Sequence, residues 1–332
     1  MGSAIRKYAK SIKEGKMKII YFYEGGGKGT IIDPSSPHIP LDILEFGIYD
    51  LKEGPFHRET KEREVVLVPQ EGYFKIKVGR KVFEGERKDG PFPKKWGRNN
   101  ACAIYVGKES EYIVEGDGEV IFYTAPALKK LPPLFVPPGS KPNVSRGVYV
   151  WRRDVVTLVE AGKETSNLSV GETYSSPGLW SGTPIHTHDR DDPEGKETDH
   201  EEVYYHLSRL TEGEIASYPI QLFIYPEEEI WEAFIVKNKT IVVLPGGCHP
   251  VVASPVSDIL YGWGMANFGK SPILYDLPEF LFLRKFESFF RKFPGKVSFS
   301  QLEKWAEENA LSPKEKIFLT FMLKEQNRII SD

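Results

Sequence analysis

The sequence predicts an all-β protein with two similar halves and a short helical tail. Between residues 17 and 275, short runs rich in β-branched and aromatic residues alternate with clusters of Gly, Pro and Asn. Runs of this length and spacing are typical of sandwiches and barrels rather than βαβ units. No segment with helical periodicity separates them, so a parallel sheet is not expected. The runs are KIIYFY, EVVLVP, YFKIKV, CAIYV, EVIFYT, DVVTLV, EVYYHL, IQLFIY, TIVVLP and DILYGW.

A proline-rich stretch, LKKLPPLFVPPGSKPN, divides the β region and is predicted to be a linker. Each side of it contains a β-run led by acidic residues, REVVLV and EEVYYHL, and later a long strand pair around a turn. When the two sides are aligned, Glu111 stands where the second half has His249. The predicted organisation is an N-terminal segment (1–16), a first half (17–127), the linker (128–143), a second half (144–275) and a helical tail (276–332).

After residue 275 the pattern becomes helical. The segment 278–293 repeats aromatic residues at helical spacing, which we expect to pack on their own domain rather than bind a partner. Two capping boxes, Ser300 with Glu303 and Ser312 with Glu315, predict the starts of two further helices. Pro313 suits the first turn of the second one.

Composition excludes several classes of function. The net charge of the 332 residues is only -3, so no nucleic-acid partner is expected. No apolar run approaches the ~20 residues that span a bilayer, so no membrane partner is expected either. Residues 4–16 are basic and lack the apolar stretch of a signal peptide. Cys102 and Cys248 cannot form a disulfide framework, and together these features predict a cytoplasmic protein.

The motif His186-Thr187-His188 is the strongest indication of chemistry. Residues two apart in a strand project from the same face, so both imidazoles can reach one ion. A carboxylate on the neighbouring strand and a histidine two strands later would complete a site inside a barrel. Three histidines and one carboxylate leave coordination positions open for a substrate, as catalytic metal sites require.

Glu202 is the favoured carboxylate because it begins a β-run and shares a strand face with Tyr204 and His206. The acidic residues at 189–201 are expected to be solvated in a loop. His249 is the favoured last histidine, because the Pro-Gly turn before it lets the backbone bend and aim the ring inward. Cys248 is interpreted as a small buried apolar residue.

Three segments carry a family resemblance: GLWSGTPIHTHD at 178–189, EEVYYH at 201–206 and VLPGGCHPV at 243–251. They resemble the 5-deoxy-glucuronate isomerases of myo-inositol catabolism and, more distantly, the 4-deoxy-L-threo-5-hexosulose-uronate ketol-isomerases of pectin breakdown. The first half contributes to this resemblance through residues 63–68, 83–85 and 123–126, so the resemblance runs from about residue 40 to 272. The helical tail and the Gly247-Cys248 pair depart from that family's pattern.

The resemblance implies two tandem cupin (jelly-roll) barrels and one divalent metal in the second. It assigns as metal ligands His186, His188, Glu202 and His249. The same ligands accept zinc, manganese, iron or nickel. In the first half, a carboxylate-rich site is the less favoured interpretation, and a scaffold barrel without metal is the favoured one. The residues available for such a site are His57, Glu59, Glu64 and Glu111.

The implied activity is aldose-ketose isomerisation of a deoxy-uronic acid, converting 5-deoxy-glucuronate to 5-dehydro-2-deoxy-gluconate through a metal-stabilised enediolate. A general base must carry a proton between the two carbons, and the candidates are Tyr204, His206 and Glu232. The substrate carboxylate needs a cation, for which the candidates are Arg153 and Arg190. Trp180 and Trp263 are candidates to line a sugar pocket.

Three alternatives remain open at this stage. They are a pectin-pathway uronate isomerase, another metal-cupin enzyme such as an oxygenase, and a non-catalytic sugar-binding bicupin. The partner expected for the implied isomerase is a small acidic sugar substrate. Pairing of sheet edges leaves a homo-oligomer possible.

Overall fold

The computed structural model describes residues 3–22, 28–92, 99–209, 218–325 and 329–330. Its first part contains one helix and ten strands. These are α1 (Ala4–Lys13), β1 (Ile20–Phe22), β2 (Lys28–Ile32), β3 (Glu45–Asp50), β4 (Phe56–Glu59), β5 (Arg63–Val78), β6 (Lys81–Arg87), β7 (Ala103–Val106), β8 (Glu111–Gly116), β9 (Glu119–Pro126) and β10 (Leu134–Val136).

The next part is again built of strands, and the last part is mostly helical. The strands are β11 (Val144–Arg146), β12 (Arg153–Val159), β13 (Leu168–Ser175), β14 (Trp180–Ser181), β15 (His186–Thr187), β16 (Glu201–Ser208), β17 (Ile220–Tyr225), β18 (Ile230–Ile235), β19 (Thr240–Leu244), β20 (Val251–Val252), β21 (Ile259–Ala266) and β22 (Tyr275–Asp276). The tail consists of α2 (Phe282–Lys292), β23 (Val297–Ser298), α3 (Phe299–Glu308), α4 (Pro313–Glu325) and β24 (Ile329–Ile330).

The long strand β5 organises the first sheet. This sheet has the order β10-β7-β5-β9-β3-β2, and β4, β6 and β8 attach to it through β5 and β8. The first half of β5 pairs with β7 and β9, and its second half pairs with β6 and β8. A register shift between Pro69 and Glu71 allows this change of partners, because a bulge bends a strand. Two predicted β-runs are therefore one continuous strand.

The second sheet positions the candidate site. Its order is β1-β19-β16-β21-β13-β12-β11, and a four-stranded sheet, β14-β20-β17-β18, lies separately from it. In β16 all eight residues are buried, and the strand is central because β19 and β21 pair with its two edges. Glu202 lies near the start of this strand. His249 lies in the connection between β19 and β20.

The N-terminal segment differs from the prediction, because it packs on the second half of the chain. In β1, Ile20 pairs with Val242 of β19, so the strand extends the second sheet. In α1, Ile5 and Ala9 are buried in a cluster that contains Phe223. Covering the apolar face of α1 and the edge of β19 stabilises both. The strand β1, which was predicted to open the first half, therefore extends the sheet of the second half. The predicted linker also contributes a strand, since β10 pairs with β7.

Two buried carboxylates, one from each half of the chain, connect the halves. Each lies at the same position in its sheet and accepts hydrogen bonds from the backbone of the other half. Glu64 stands opposite Ala125 and accepts backbone N–H bonds from residues 166–168 at 2.6–2.9 Å. Glu201 stands opposite Ala266 and accepts backbone N–H bonds from residues 42–44 at 2.5–3.0 Å. Both side chains are buried. The prediction that Glu201 is a solvated loop residue is wrong, because it satisfies backbone donors that would otherwise be buried without a partner.

A buried ion pair also connects the halves. The two terminal nitrogens of Arg87 each donate to one carboxylate oxygen of Glu172 at 2.7 Å, and both side chains are fully buried. We expect Arg87→Met to lower the free energy of unfolding by about 3–5 kcal/mol, because it leaves the Glu172 carboxylate buried without its partner. Thermal unfolding measures the effect. The double variant Arg87→Met/Glu172→Met should recover most of the lost free energy of unfolding. If the single and the double variant are equally destabilised, the result contradicts this reasoning.

The helical tail packs on the second half of the chain through aromatic residues. Phe286, Phe289 and Phe290 are buried in a cluster with Trp151, which confirms that the aromatic repeat packs on its own domain. The capping box of α3 is formed by Ser298 and Gln301, so the predicted box two residues later is wrong.

The capping box that begins α4 agrees with the prediction. Ser312 and Glu315 form it, and Pro313 is the first residue of the helix. Among the helices that the structure describes, none is both long and apolar enough to cross a membrane.

Candidate metal centre

Three buried side chains converge on one point at the second sheet. The Nε2 atoms of His188 and His249 lie 3.2 Å apart, and one oxygen of Glu202 lies 3.2 Å and 3.1 Å from them. The three side chains are 1–6% exposed. Across the described ranges, this is the group of His, Cys, Asp or Glu side chains close enough together to hold an ion.

Backbone carbonyls fix the orientation of both rings. The Nδ1 atom of His188 lies 3.0 Å from the carbonyl oxygen of His200, and that of His249 lies 2.8 Å from the carbonyl oxygen of Gly247. With Nδ1–H donating to these carbonyls, both Nε2 lone pairs face the carboxylate of Glu202. Metal-binding histidines are oriented in this way. Three acceptors that face one point are stabilised by a cation, so the donor set fits a metal ion.

The charge state of Glu202 suits a ligand. Burial by itself raises the pKa of Glu202. Side-chain hydrogen bonds and electrostatic interactions with His188 and His249 outweigh burial and lower the pKa to about 2. The carboxylate is therefore ionised at neutral pH. A divalent cation at the same point provides the same stabilisation with the histidines neutral.

His186 lies beside this group without joining it. The ring lines the same cavity, and its Nδ1 atom lies 2.8 Å from the carbonyl oxygen of Pro184. The donor atoms that are mutually close belong to His188, Glu202 and His249. Burial lowers the pKa of His186 to about 4, so the ring is neutral at pH 7 and its lone pair is available to a metal.

The acidic loop before β16 supports the last histidine. Asp189 accepts a hydrogen bond of 2.9 Å from the backbone N–H of Gly247, and Glu197 accepts one of 2.8 Å from the N–H of Asp189. Both carboxylates are buried, so their predicted solvation is wrong. At Gly246 a Cβ would lie 2.6 Å from Ile5 and 2.7 Å from Asp189, which explains the need for glycine in this turn.

A cavity of about 410 Å3 opens next to the three donors. It is lined by all four predicted metal ligands and by three further predicted residues, Tyr204, Trp263 and Arg153. The Tyr204 ring lies 5.6 Å from the His249 ring, and burial together with the charge of Glu202 raises the tyrosine's pKa. The phenol is thus protonated at neutral pH and can donate a hydrogen bond or proton, which suits an acid better than the predicted base.

Four predicted site residues lie outside the cavity lining. Glu232 is exposed on the edge strand β18, and Arg190 is exposed in an ion pair of 2.6 Å with Glu227. Trp180 is 38% exposed, because the side chain of its neighbour Ser181 faces the cavity and successive strand residues alternate.

His206 is buried too far along β16 from the cavity. It lies four positions along the strand from Glu202, a distance of about 13 Å. Its Nε2 atom instead lies 3.2 Å from Gln221, whose side-chain amide donates to the carbonyl oxygen of His249 at 2.8 Å. Burial lowers the pKa of His206 to about 3, so the ring stays neutral. We interpret His206 as a residue that supports the ligand loop rather than as a base.

The cavity also contains residues that the sequence did not indicate. Tyr261 is buried and hydrogen-bonds to Ser181. Glu160 contributes a carboxylate, and Arg146 and Arg284 contribute cations. The available signal for Tyr261 was its position two residues before Trp263 on the same strand face. No sequence pattern connects Arg284, which lies in the tail, with this cavity.

In the first half, the equivalent positions carry other groups. Val65 follows Glu64 as Glu202 follows Glu201, so an apolar side chain stands at the ligand position. Both oxygens of Glu64 are occupied by backbone N–H groups. The remaining residues considered for a site, His57, Glu59 and Glu111, are exposed.

These sheets and the buried His-Glu-His group define a cupin-like β protein with a donor set suited to a metal. The chain belongs to the KduI/IolB family, whose sequence model matches residues 22–281. This confirms the resemblance seen in the sequence. The match ends at the residue before α2.

Curated relatives and a solved structure agree with this assignment. The chain is 28% identical over 242 residues to the 5-deoxy-glucuronate isomerase of Geobacillus kaustophilus, covering 71% of this chain and 84% of the relative. It is 28% identical over 230 residues to that of Bacillus subtilis (strain 168), covering 68% and 82%. The IolB-like protein from Salmonella typhimurium LT2 shares the fold, with a TM-score of 0.71, 24% identity and coverage of 80% and 99%.

Proposed function

We propose that this protein is a metal-dependent aldose-ketose isomerase that converts 5-deoxy-glucuronate to 5-dehydro-2-deoxy-gluconate. Family membership and the names of the relatives support the reaction class and the substrate. The observation that carries the proposal is the convergence of His188, Glu202 and His249 at the wall of a cavity that also contains arginines. Its volume of about 410 Å3 lies in the usual range for small-molecule sites.

The proposed architecture is two tandem cupin barrels with one divalent ion in the second. His188, Glu202 and His249 would hold the ion, and His186, which lines the same cavity, would complete the set. When bound, such an ion acts as a Lewis acid toward the carbonyl and adjacent hydroxyl oxygens of a sugar. The first barrel serves as a scaffold, since Val65 stands at its ligand position and Glu64 is used in the contact between halves.

Three residues of the cavity are assigned to the substrate. Tyr204 carries a neutral phenol beside the donor group and would donate a proton or hydrogen bond to a substrate oxygen. Arg153 would bind the substrate carboxylate, because a guanidinium matches a carboxylate with two parallel hydrogen bonds. Trp263 provides an apolar wall against which the carbon chain would pack.

The direct test is conversion of 5-deoxy-glucuronate, followed by proton NMR in deuterated water. We expect the ketose product to accumulate without oxygen, activity to disappear on treatment with a chelator, and one of zinc, manganese, iron or nickel to restore it. A chelator-resistant activity would contradict the role of the metal. Oxygen consumption without a ketose product would favour the oxygenase alternative.

A further inference from the structure

We infer that Arg146, Arg153 and Arg284 form an anion subsite in the metal cavity, that the helical tail assembles this subsite, and that it binds the carboxylate of the sugar acid. The inference deepens the proposed function and rests on it for the identity of the substrate. All three side chains line the cavity that contains His188, Glu202 and His249.

Two of the arginines face each other across adjacent strands. Arg146 of β11 pairs with Arg153 of β12, and both line the cavity. Like charges directly opposite each other in a sheet destabilise it. Two guanidinium groups at such a pair of positions gain stability from an anion bound between them.

The guanidinium of Arg153 has no carboxylate partner in the described part of the chain. It donates to the carbonyl oxygens of Thr183 at 2.7 Å and Trp151 at 3.3 Å, which orient it without neutralising its charge. Burial and the positive charges of Arg284 and Arg146 lower its pKa. Arg146 is exposed at the mouth of the cavity, and no side-chain hydrogen bond or ion pair connects its guanidinium with another described residue. Both groups are available to a ligand.

The third arginine comes from the tail. Arg284 of α2 is half-exposed, and its guanidinium is held by Asp276 at 2.7 and 3.0 Å and by Glu287 at 3.1 Å. Asp276 pairs with His186 across β15 and β22. The ion pair therefore fixes Arg284 at the mouth of the cavity, on the side of the candidate ligand His186.

The same helix clamps the segment that carries the other two arginines. The indole N–H of Trp151 donates to Glu287 at 3.1 Å, and Arg291 donates to the carbonyl oxygen of Gly147 at 3.3 Å. At Gly147, a Cβ would lie 2.2 Å from the carbonyl oxygen of Trp151, so only glycine permits this close turn. The family match ends at residue 281, so this wall of the cavity is built by a segment outside the match.

This arrangement has a chemical consequence for recognition. Cations at the mouth of a cavity attract anionic ligands and raise their local concentration. A carboxylate held by two or more guanidinium groups gains charge-assisted hydrogen bonds that a neutral sugar cannot make. The subsite thus selects sugar acids over neutral sugars, with the carboxylate end toward the tail and the reacting end toward the metal ligands.

The test is calorimetric binding of D-gluconate, with D-glucitol as its neutral counterpart, to the metal-loaded full-length protein. We expect saturable binding of gluconate and much weaker binding of glucitol. Arg146→Gln and Arg284→Gln should each weaken gluconate binding about 10-fold or more. Arg152→Gln and Lys292→Gln are matched controls, because they remove the same charge from exposed neighbouring positions outside the cavity lining.

Two further measurements distinguish a role of Arg284 in gluconate binding from a structural role. They are the gluconate affinity of Arg284→Lys and the metal affinity of all variants. We expect the lysine variant to retain part of the gluconate affinity, and metal affinity to stay within about twofold in all variants. If Arg284→Gln weakens metal binding as much as gluconate binding, Arg284 acts through Asp276 and the subsite is overturned. Unchanged gluconate binding in the Gln variants, or none in the unaltered chain, also overturns it. Arginine-dependent gluconate binding without conversion of 5-deoxy-glucuronate supports the subsite and refutes the proposed reaction.

Discussion

The double variant His188→Ala/His249→Ala is expected to lose its metal and its isomerase turnover. Both Nε2 atoms face Glu202 within 3.2 Å, so their removal leaves one carboxylate from the converging group. Loss of groups that merely orient metal ligands costs 10–100-fold in affinity. We therefore expect loss of two ligands to weaken metal binding by more than about 100-fold. Equilibrium dialysis with metal analysis, together with the NMR assay, measures both effects.

His57→Ala is the matched control for this variant. His57 is an exposed histidine of β4 in the first half, so its removal should leave metal content and turnover unchanged. Thermal unfolding of the metal-free proteins checks that the double variant remains folded. Retained turnover in the folded double variant would remove the proposed mechanism.

Tyr204→Phe is expected to lower kcat by about 100-fold or more while metal binding is retained. The substitution removes only the phenolic hydroxyl group of a side chain that lines the cavity, and positioned proton donors contribute about 10²–10⁴-fold to a rate. The ring, which lies 4.5 Å from that of Tyr261, keeps its packing. Steady-state kinetics and metal analysis of the same preparation separate the two effects.

Tyr225→Phe is the control for the tyrosine variant. Tyr225 is also buried, and its hydroxyl donates to Glu227 at 2.8 Å, outside the cavity lining. The Tyr225→Phe variant also loses one hydroxyl oxygen, and its kcat should stay within about twofold of that of the unaltered protein. Equal kcat values for Tyr204→Phe and the unaltered protein would show that another group supplies the proton.

The strands were predictable because they are short runs of β-branched and aromatic residues bounded by turn residues. The β-runs named from the sequence all correspond to strands, and the turn residues between them mark the connections. The placement of α1 and β1 was not predictable. Their burial depends on the free edge of β19 and on Phe223, more than 200 residues away in sequence. A local pattern shows that a face is apolar but not which surface covers it.

The candidate site was predictable where spacing alone decides geometry. Alternation along a strand identified the faces of Glu202 and Tyr204, and the structure places both at the cavity. The same rule was not sufficient for His206, which lies on the correct face but too far along the strand. Trp180, proposed only as a candidate to line a sugar pocket, is exposed because its neighbour faces inward.

The two arginines at the mouth of the cavity could not have been found from the sequence. Arg284 reaches it because α2 docks on the segment around Trp151, and that contact depends on tertiary packing of aromatic residues. Arg146 lies in a short exposed strand that resembles a continuation of the linker. The tail appeared to be a separate extension, whereas it forms part of the wall.

The most direct test of the metal centre is anomalous diffraction from crystals of the metal-loaded protein at the absorption edge of the bound metal. The geometry predicts one strong peak per chain, about 2.0–2.3 Å from Nε2 of His188 and His249 and from an oxygen of Glu202. A peak elsewhere in the chain, or rings of His188 and His249 that point away from the ion, would contradict the assignment.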